Sequence, residues 1–359
     1  MRTTNIPSGA TPSCVFENAF PVRFCFWLAC AQKLEITRHA GLGRMNGKPL
    51  TSSHEKAPSF PGNFRGKREE RVKSEKMLSL PVISLALSAA SPSKLWSFAG
   101  RQLPRVSDGA IVDVGAELVA GPGTTLLVLG TYPADFNMIE YAQQLAHYTP
   151  ALKKAGVGKI MCVVNGSPAG CKKLASLVSF PSEVEILADP TGEAGRDFGV
   201  SRGWLPDENV PAYGKLFGML LGLGASKTLP SVITGYLGNP SGKNGWIETA
   251  LAQGKAAGRW PGETVVDVDE NGRVVRNAFN ELPFVGGWGR RPLELATLRL
   301  QTMLGVSIEH WSELQQGVDD RCLTQLGGLV AVRDEKVLFE YRDGGICNVC
   351  SFEELLAAL

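Results

Sequence analysis

The residues in this chain best placed to do chemistry are two cysteines three positions apart, Cys347-Asn348-Val349-Cys350. Two thiols at this spacing can exchange dithiol for disulfide: one thiolate attacks a sulfur of a partner's disulfide and the second resolves the mixed disulfide. The attacking species is the thiolate, so anything that stabilises negative charge promotes the reaction. Cys350 directly precedes Ser351-Phe352-Glu353-Glu354, a capping box that opens a helix. The dipole of that helix favours a thiolate at Cys350 modestly, and Arg342 is a candidate source of further positive potential. The alternative is a pair that stays reduced and does no chemistry. Half of a zinc site has the same spacing, but there is no second C-x-x-C, and Cys322 with a distant histidine would have to complete it. No metal and no cofactor are therefore expected.

The other cysteines fit bystander roles. Cys162 falls in a continuous apolar run, where a thiol acts as a small apolar side chain. Cys171 falls in the first turns of a helix and is expected to be the more accessible of the two. Eight cysteines in 359 residues are too few for a disulfide scaffold, and four scattered histidines argue against a histidine-rich metal site. Gly218–Gly224 and Gly286-Gly287-Trp288-Gly289 match no dinucleotide or P-loop pattern, and no Ser-His-Asp order with a nucleophile elbow is present. Arg290, Arg291 and Arg299 are a candidate anion site, with salt-bridged helix ends as the commoner alternative.

Composition narrows the partners. Hydrophobic residues make up 44% and charged residues 20%, which suits a packed domain. A formal net charge of +2 gives no reason to expect nucleic acid, an acidic polymer or a membrane surface as partner. No apolar run reaches the roughly 20 residues of a membrane-spanning helix, so the chain is not expected to span a bilayer. Residues 1–95 read differently from the rest. They include the charged run Lys67–Lys76, and from Met77 to Ser107 there is no acidic residue at all. An acid-free, serine-rich, basic leader is what organelle import segments look like. The expectation is a disordered leader or organelle import segment over 1–95, or a cytoplasmic protein if the leader is an upstream extension of the true start.

The elements that must position the cysteines follow a regular order. Ala110–Leu118 alternates apolar and polar residues, as a strand does. Thr124–Gly130 and Lys159–Val164 are continuous apolar runs, the mark of strands buried on both faces. Between them a helix is expected from about Phe136 to Ala155. Ser167 caps another helix with Pro168 at its first position, and Glu183–Ala188 is a third strand. Strand, helix, strand, helix, strand at this spacing means a parallel sheet with right-handed crossovers. Helices are expected over Tyr213–Leu223, Leu229–Leu237 and Pro292–Leu304, and a hairpin with an Asn-Gly turn over Val265–Val275. A second hairpin, Gly328–Val332 with Val337–Tyr341, precedes the last helix. This is an α/β chain with thioredoxin-like topology: a three-layer sandwich with a mixed central sheet over 96–359, and a long insertion at about 201–322 before the last hairpin.

Several segments carry a family resemblance. Ala188–Val200, reading A-D-P-T-G-E-A-G-R-D-F-G-V, resembles the D-P-x-G-x-x-x-x-x-F/Y-G-V segment of AhpC/TSA-type peroxiredoxins. Tyr132–Glu140 resembles their first strand-to-helix loop. Gly286–Leu304 and Leu323–Gly328 look like the peroxiredoxin-like AhpC/TSA antioxidant-domain proteins of cyanobacteria and plastids. The resemblance covers about residues 100–346 and implies a thioredoxin-like fold and an antioxidant, thiol-redox role, served by a thioredoxin-type reductant. It also implies departures. Where peroxiredoxins read P-x-x-x-T/S-x-x-C, this chain keeps Pro133 but has Asn137 at the Thr/Ser position and Glu140 at the cysteine. A carboxylate cannot reduce a peroxide through a sulfenic acid, and Glu140 is expected to stabilise the first helical turn. Gln325-Leu326-Gly327-Gly328 stands where the family's arginine and the thioredoxin cis-proline are expected. The reacting groups left are Cys347 and Cys350. The alternative function is a non-catalytic thioredoxin-fold module that binds a protein partner through the insertion.

Overall fold

The computed structural model describes residues 97–237, 245–258, 266–271, 273–277, 303 and 305–359. A short antiparallel pair, β1 (Gln102–Pro104) and β2 (Ile111–Asp113), comes first. The strand expected over Ala110–Leu118 stops at Asp113, whose carboxylate accepts the Ala116 N–H at 2.9 Å and caps helix α1 (Val114–Val119). A side-chain cap here outweighs the alternation of apolar residues, because it satisfies a helix-end donor that a strand would not create.

The central elements follow the expected order: β3 (Thr124–Leu129), α2 (Phe136–Lys154), β4 (Val157–Val164), α3 (Pro168–Val178) and β5 (Val184–Ala188). Ser167 caps α3 by accepting the Gly170 N–H at 3.2 Å. A short helix, α4 (Glu193–Phe198), closes this half. The insertion contributes α5 (Ala212–Leu220), α6 (Thr228–Leu237), α7 (Gly245–Ala256), a hairpin of β6 (Val266–Val268) and β7 (Val274–Asn277), and α8 (Trp311–Leu314). Helix α5 ends three residues before its expected limit, where Gly222 (φ +91°) and Gly224 (φ +64°) turn the chain. In the hairpin turn, Asp269 accepts the N–H groups of Asn271 and Arg273 at 2.8 and 2.9 Å. The helix expected over Pro292–Leu304 lies outside the described residues apart from Met303, as do Arg290, Arg291, Arg299, the Gly286–Gly289 run and the leader over 1–95.

The last hairpin, β8 (Gly328–Arg333) and β9 (Lys336–Arg342), completes a five-stranded sheet in the order β5-β4-β3-β8-β9. Strands β3, β4 and β5 are parallel; β8 runs antiparallel to β3, and β9 antiparallel to β8. The C-terminal helix is α9 (Phe352–Ala358). This mixed sheet flanked by helices is the thioredoxin-like arrangement.

Side chains alternate across the sheet, so each buried strand feeds two cores. Leu126, Val128, Ile160, Cys162, Leu329 and Ala331 share one core with α2, α3, α7 and α9. Leu127, Leu129, Met161, Val163, Val330 and Val332 form the other with Phe98, Val112, Leu118 and Phe198. Each fully buried Leu, Ile or Val contributes roughly 1.5–3 kcal/mol, and the strand centres carry little else. The D-P-x-G segment acts in this scaffold as a cap. Asp189 accepts Thr191 Oγ1, the Gly192 N–H and the Ala194 N–H within 2.9 Å. Gln325 Nε2 donates to Gly192 O, which ties that loop to the segment leading into β8.

Candidate functional site

The chain leaving β9 turns back over the N-terminal half of α2, and this return carries both cysteines. Asn137 and Tyr141 are one helical turn apart and face the same way, so both can reach the returning loop. Asn137 is fully buried and makes three hydrogen bonds to it. Its Nδ2 donates to Asp343 Oδ2 at 3.1 Å and to Gly345 O at 3.0 Å, and its Oδ1 accepts the Cys347 N–H at 2.8 Å. Tyr141 donates its hydroxyl to Asp343 Oδ1 at 2.6 Å and accepts the Cys350 N–H at 3.4 Å. The insertion holds the loop from the other side. Lys227 N–H donates to Gly344 O at 3.0 Å, and Thr228 Oγ1 accepts the Ile346 N–H at 3.0 Å.

Within the loop a tight turn forms at 345–348, with the Asn348 N–H on Gly345 O at 3.2 Å. Cys347 takes the left-handed conformation there, φ +60°, which costs a non-glycine residue on the order of 1 kcal/mol. The Asn137 bond to its N–H helps hold that geometry. Ser351 then caps α9 as expected, accepting the Glu354 N–H at 3.3 Å.

The two thiols have different surroundings. Cys347 is partly exposed and packs beside the apolar group of Met219, Ala225, Leu326 and Ile346. Cys350 is fully buried in the main core. Burial pushes the Cys350 thiol up, and the charges of Asp343, Glu354 and Glu353 push it further. This reverses the expectation that the helix N-terminus favours a thiolate at Cys350: desolvation of a fully buried sulfur outweighs a partial dipole charge. Arg342 does not serve the cysteines either. Its guanidinium lies over the Phe198 ring at 4.3 Å, donates to Phe198 O and pairs with Glu340.

Buried carboxyls crowd the same region. Burial raises Asp343 to about 7, aided by the charge of Asp135 and opposed by the hydrogen bonds from Tyr141 and Asn137. Asp135, the residue before α2, is raised to about 6, chiefly by burial. The Tyr141 hydroxyl is pushed well up by burial and by Asp343, so it remains a donor.

The three positions of the peroxiredoxin-like loop separate in space. Asn137 joins the cysteine loop. Pro133 packs under Gly166, where a Cβ would lie 2.5 Å from its Cγ. Glu140 is not in the first turn of α2. It sits buried in the second turn and accepts Gln144 Nε2 at 3.3 Å. Cys171, expected to be accessible, is buried against β4, with its thiol pushed up by burial. Cys162 and Cys322 are buried too, each pushed up to about 12 by desolvation. Among the described residues no group of three or more His, Cys, Asp or Glu could hold a metal ion.

The family model described as AhpC/TSA antioxidant enzyme matches residues 144–345. The chain belongs to the AhpC/TSA antioxidant enzyme family. The match begins after Pro133, Asn137, Glu140 and Tyr141 and ends before Cys347 and Cys350. The match spans the second half of α2 through β9, and the cysteine loop with its clamp must be argued from its own geometry. No curated protein matches the chain, and no solved structure does. Asp343, Tyr141 and Thr228 were not legible as site residues beforehand. The only advance signal was the four-residue spacing of Asn137 and Tyr141 on one helix face.

Proposed function

We propose that this AhpC/TSA-family protein carries out thiol–disulfide exchange through Cys347 and Cys350, with Glu140 standing where the peroxidatic cysteine of the family would be. The observation that supports this is the clamp of Asn137 and Tyr141, which seats a partly exposed thiol in a tight turn and a buried thiol three residues later. In the step proposed, the Cys347 thiolate attacks one sulfur of a partner disulfide and the other partner sulfur leaves. Cys350 then attacks the Cys347 sulfur, and its proton passes to the departing partner thiolate. The products are a Cys347–Cys350 disulfide and a reduced partner dithiol, a transfer of two electrons and two protons. A thioredoxin-type protein fits as the partner that resets the pair. Plastid import through residues 1–95 belongs to the same proposal.

A second reading has its own observation. The two thiols open onto different apolar clusters, and that of Cys350 is pushed up, which favours a non-catalytic module that binds through the insertion. Non-reducing peptide mass spectrometry of the full chain, before and after a small excess of hydrogen peroxide, separates the two. A Cys347–Cys350 bridge that forms quickly and is reversed by a thioredoxin supports exchange. If both stay thiols, or oxidise no faster than Cys171, exchange fails and the binding reading stands.

A further inference from the structure

One carboxyl ties down both cysteines. Asp343 directly follows β9 and is only 3% exposed. Its two oxygens are divided between the two clamp residues: Oδ2 accepts Asn137 Nδ2 at 3.1 Å, and Oδ1 accepts the Tyr141 hydroxyl at 2.6 Å. Each clamp residue in turn holds one cysteine, since Asn137 Oδ1 accepts the Cys347 N–H and the Tyr141 oxygen accepts the Cys350 N–H. The carboxyl therefore orients both. With Nδ2 fixed on Asp343, Asn137 has to present its oxygen to Cys347. With its hydrogen on Asp343, the Tyr141 hydroxyl has to present a lone pair to Cys350. Four bonds between segments more than 200 residues apart depend on this one side chain.

Among the described residues no cation bonds to this carboxyl. Arg342, its neighbour in the chain, is turned onto Phe198. Lys227 lays its stem over Gly344, where a Cβ would lie 2.4 Å from Lys227 Cδ, but its ammonium does not reach Asp343. The ionisable groups that act with Asp343 all become anions: Asp135 just ahead of α2, Tyr141 on α2, Tyr341 on β9 and Cys350 in the loop. On the β8 side the backbone of Gly327 meets it, its carbonyl accepting the Asp343 N–H at 3.0 Å. A carboxylate in such a place is desolvated and repelled by its neighbours, so it holds a proton while enclosed and gives it up when exposed. Its rise to about 7 expresses the same burial. Opening the loop returns the carboxyl to water, so opening and ionisation are linked.

We propose that Asp343 is a pH-sensitive latch on the cysteine loop: neutral, it keeps both halves of the clamp closed, and on ionising it releases Cys347 and Cys350 together. Acid favours the closed loop, and more of the open loop forms as the pH approaches neutral. Release matters for chemistry because Cys350 is fully buried and must become accessible to attack the Cys347 sulfur. In that respect the latch rests on the thiol-exchange reading, whereas the opening itself does not.

Native-state hydrogen exchange of the full chain at pH 5, 6 and 7, corrected for the intrinsic pH dependence of amide exchange, tests it. The carboxyl titrates at about 7 when enclosed and at the ordinary 3.8 when exposed. Opening at the Cys347 and Cys350 amides should therefore rise by at least about tenfold over the series, and equally at both. In Asp343→Asn, which does not ionise, protection of both amides should stay flat. The proposal is overturned if the loop amides ignore pH while those of β4 follow it, because Asp343 then stays seated when the loop opens. It is overturned as well if the loop opens only together with β4, if only one cysteine responds, or if Asp343→Asn keeps the wild-type slope. Should the variant not fold, the wild-type comparison of the loop with β4 decides alone. Non-reducing peptide mass spectrometry separates the latch from exchange. A pH-dependent loop that never forms the Cys347–Cys350 bridge keeps the latch and removes exchange; a bridge with a pH-independent loop does the reverse.

Discussion

Removing the Asn137 carboxamide is the sharpest perturbation of the proposed site. Asn137→Ala deletes three hydrogen bonds at once: to Asp343 Oδ2, to Gly345 O and from the Cys347 N–H. Each net bond is worth about 1 kcal/mol, and a buried partner left unsatisfied costs about 1–3 kcal/mol more. Asp343 keeps Tyr141 and water can reach part of the space, so a total of about 3–4 kcal/mol is expected. At about 2–4 °C per kcal/mol for a domain of this size, Tm should fall by roughly 10 °C. The loss should be local first. The Cys347 amide should exchange hydrogen much faster in the variant, while amides in β3 and β4 speed up only as far as the new global limit. Asn137→Asp is the companion. It keeps an acceptor for the Cys347 N–H but sets a carboxyl against Asp343, so its deficit relative to wild type should be larger at pH 8 than at pH 5. Circular-dichroism melts and native-state hydrogen exchange read both. A Tm drop under 2 °C with an unchanged Cys347 amide would refute the clamp.

Three further outcomes follow from the same geometry. Asp343 binds its proton more tightly folded (about 7) than unfolded (3.8), so its contribution to stability is present at low pH and lost as pH rises from about 4 to 7. Asp343→Asn should remove a slope worth on the order of 4 kcal/mol across that window, seen in urea midpoints at pH 4.5, 6 and 8; equal slopes would contradict the assignment. Gly203→Ala should cost about 3 kcal/mol or more, because Gly203 has φ +74° and a Cβ there would lie 2.0 Å from Thr324 O; an unchanged urea midpoint would count against this. In maleimide labelling read by peptide mass spectrometry, Cys347 should react at least about tenfold faster than Cys162, Cys171, Cys322 or Cys350, whose thiols are buried and pushed up. Similar rates for Cys347 and Cys350 would sink the asymmetry on which the exchange step depends.

Much of the scaffold was legible in the sequence because it is written in short-range patterns. Apolar runs marked β3 and β4, Ser167-Pro168 marked the start of α3, Asn271-Gly272 marked the hairpin, and Ser351 marked the cap of α9. Each is set by neighbours a few residues apart. The strand expected through Leu118 failed for a local reason as well, since the capping strength of Asp113 is a side-chain property that alternation ignores.

What no local pattern carries is how elements 200 residues apart meet. The sequence by itself singled out Cys347 and Cys350 as the candidate reacting groups, and Asn137 and Glu140 as departures from the loop it resembles. Only the tertiary structure decided that Asn137, from that loop, reaches across to hold Cys347. It also buried Cys350 beside Asp343, so that desolvation overrides the helix dipole, and turned Arg342 away onto Phe198. Burial and long-range charge are properties of the packed state.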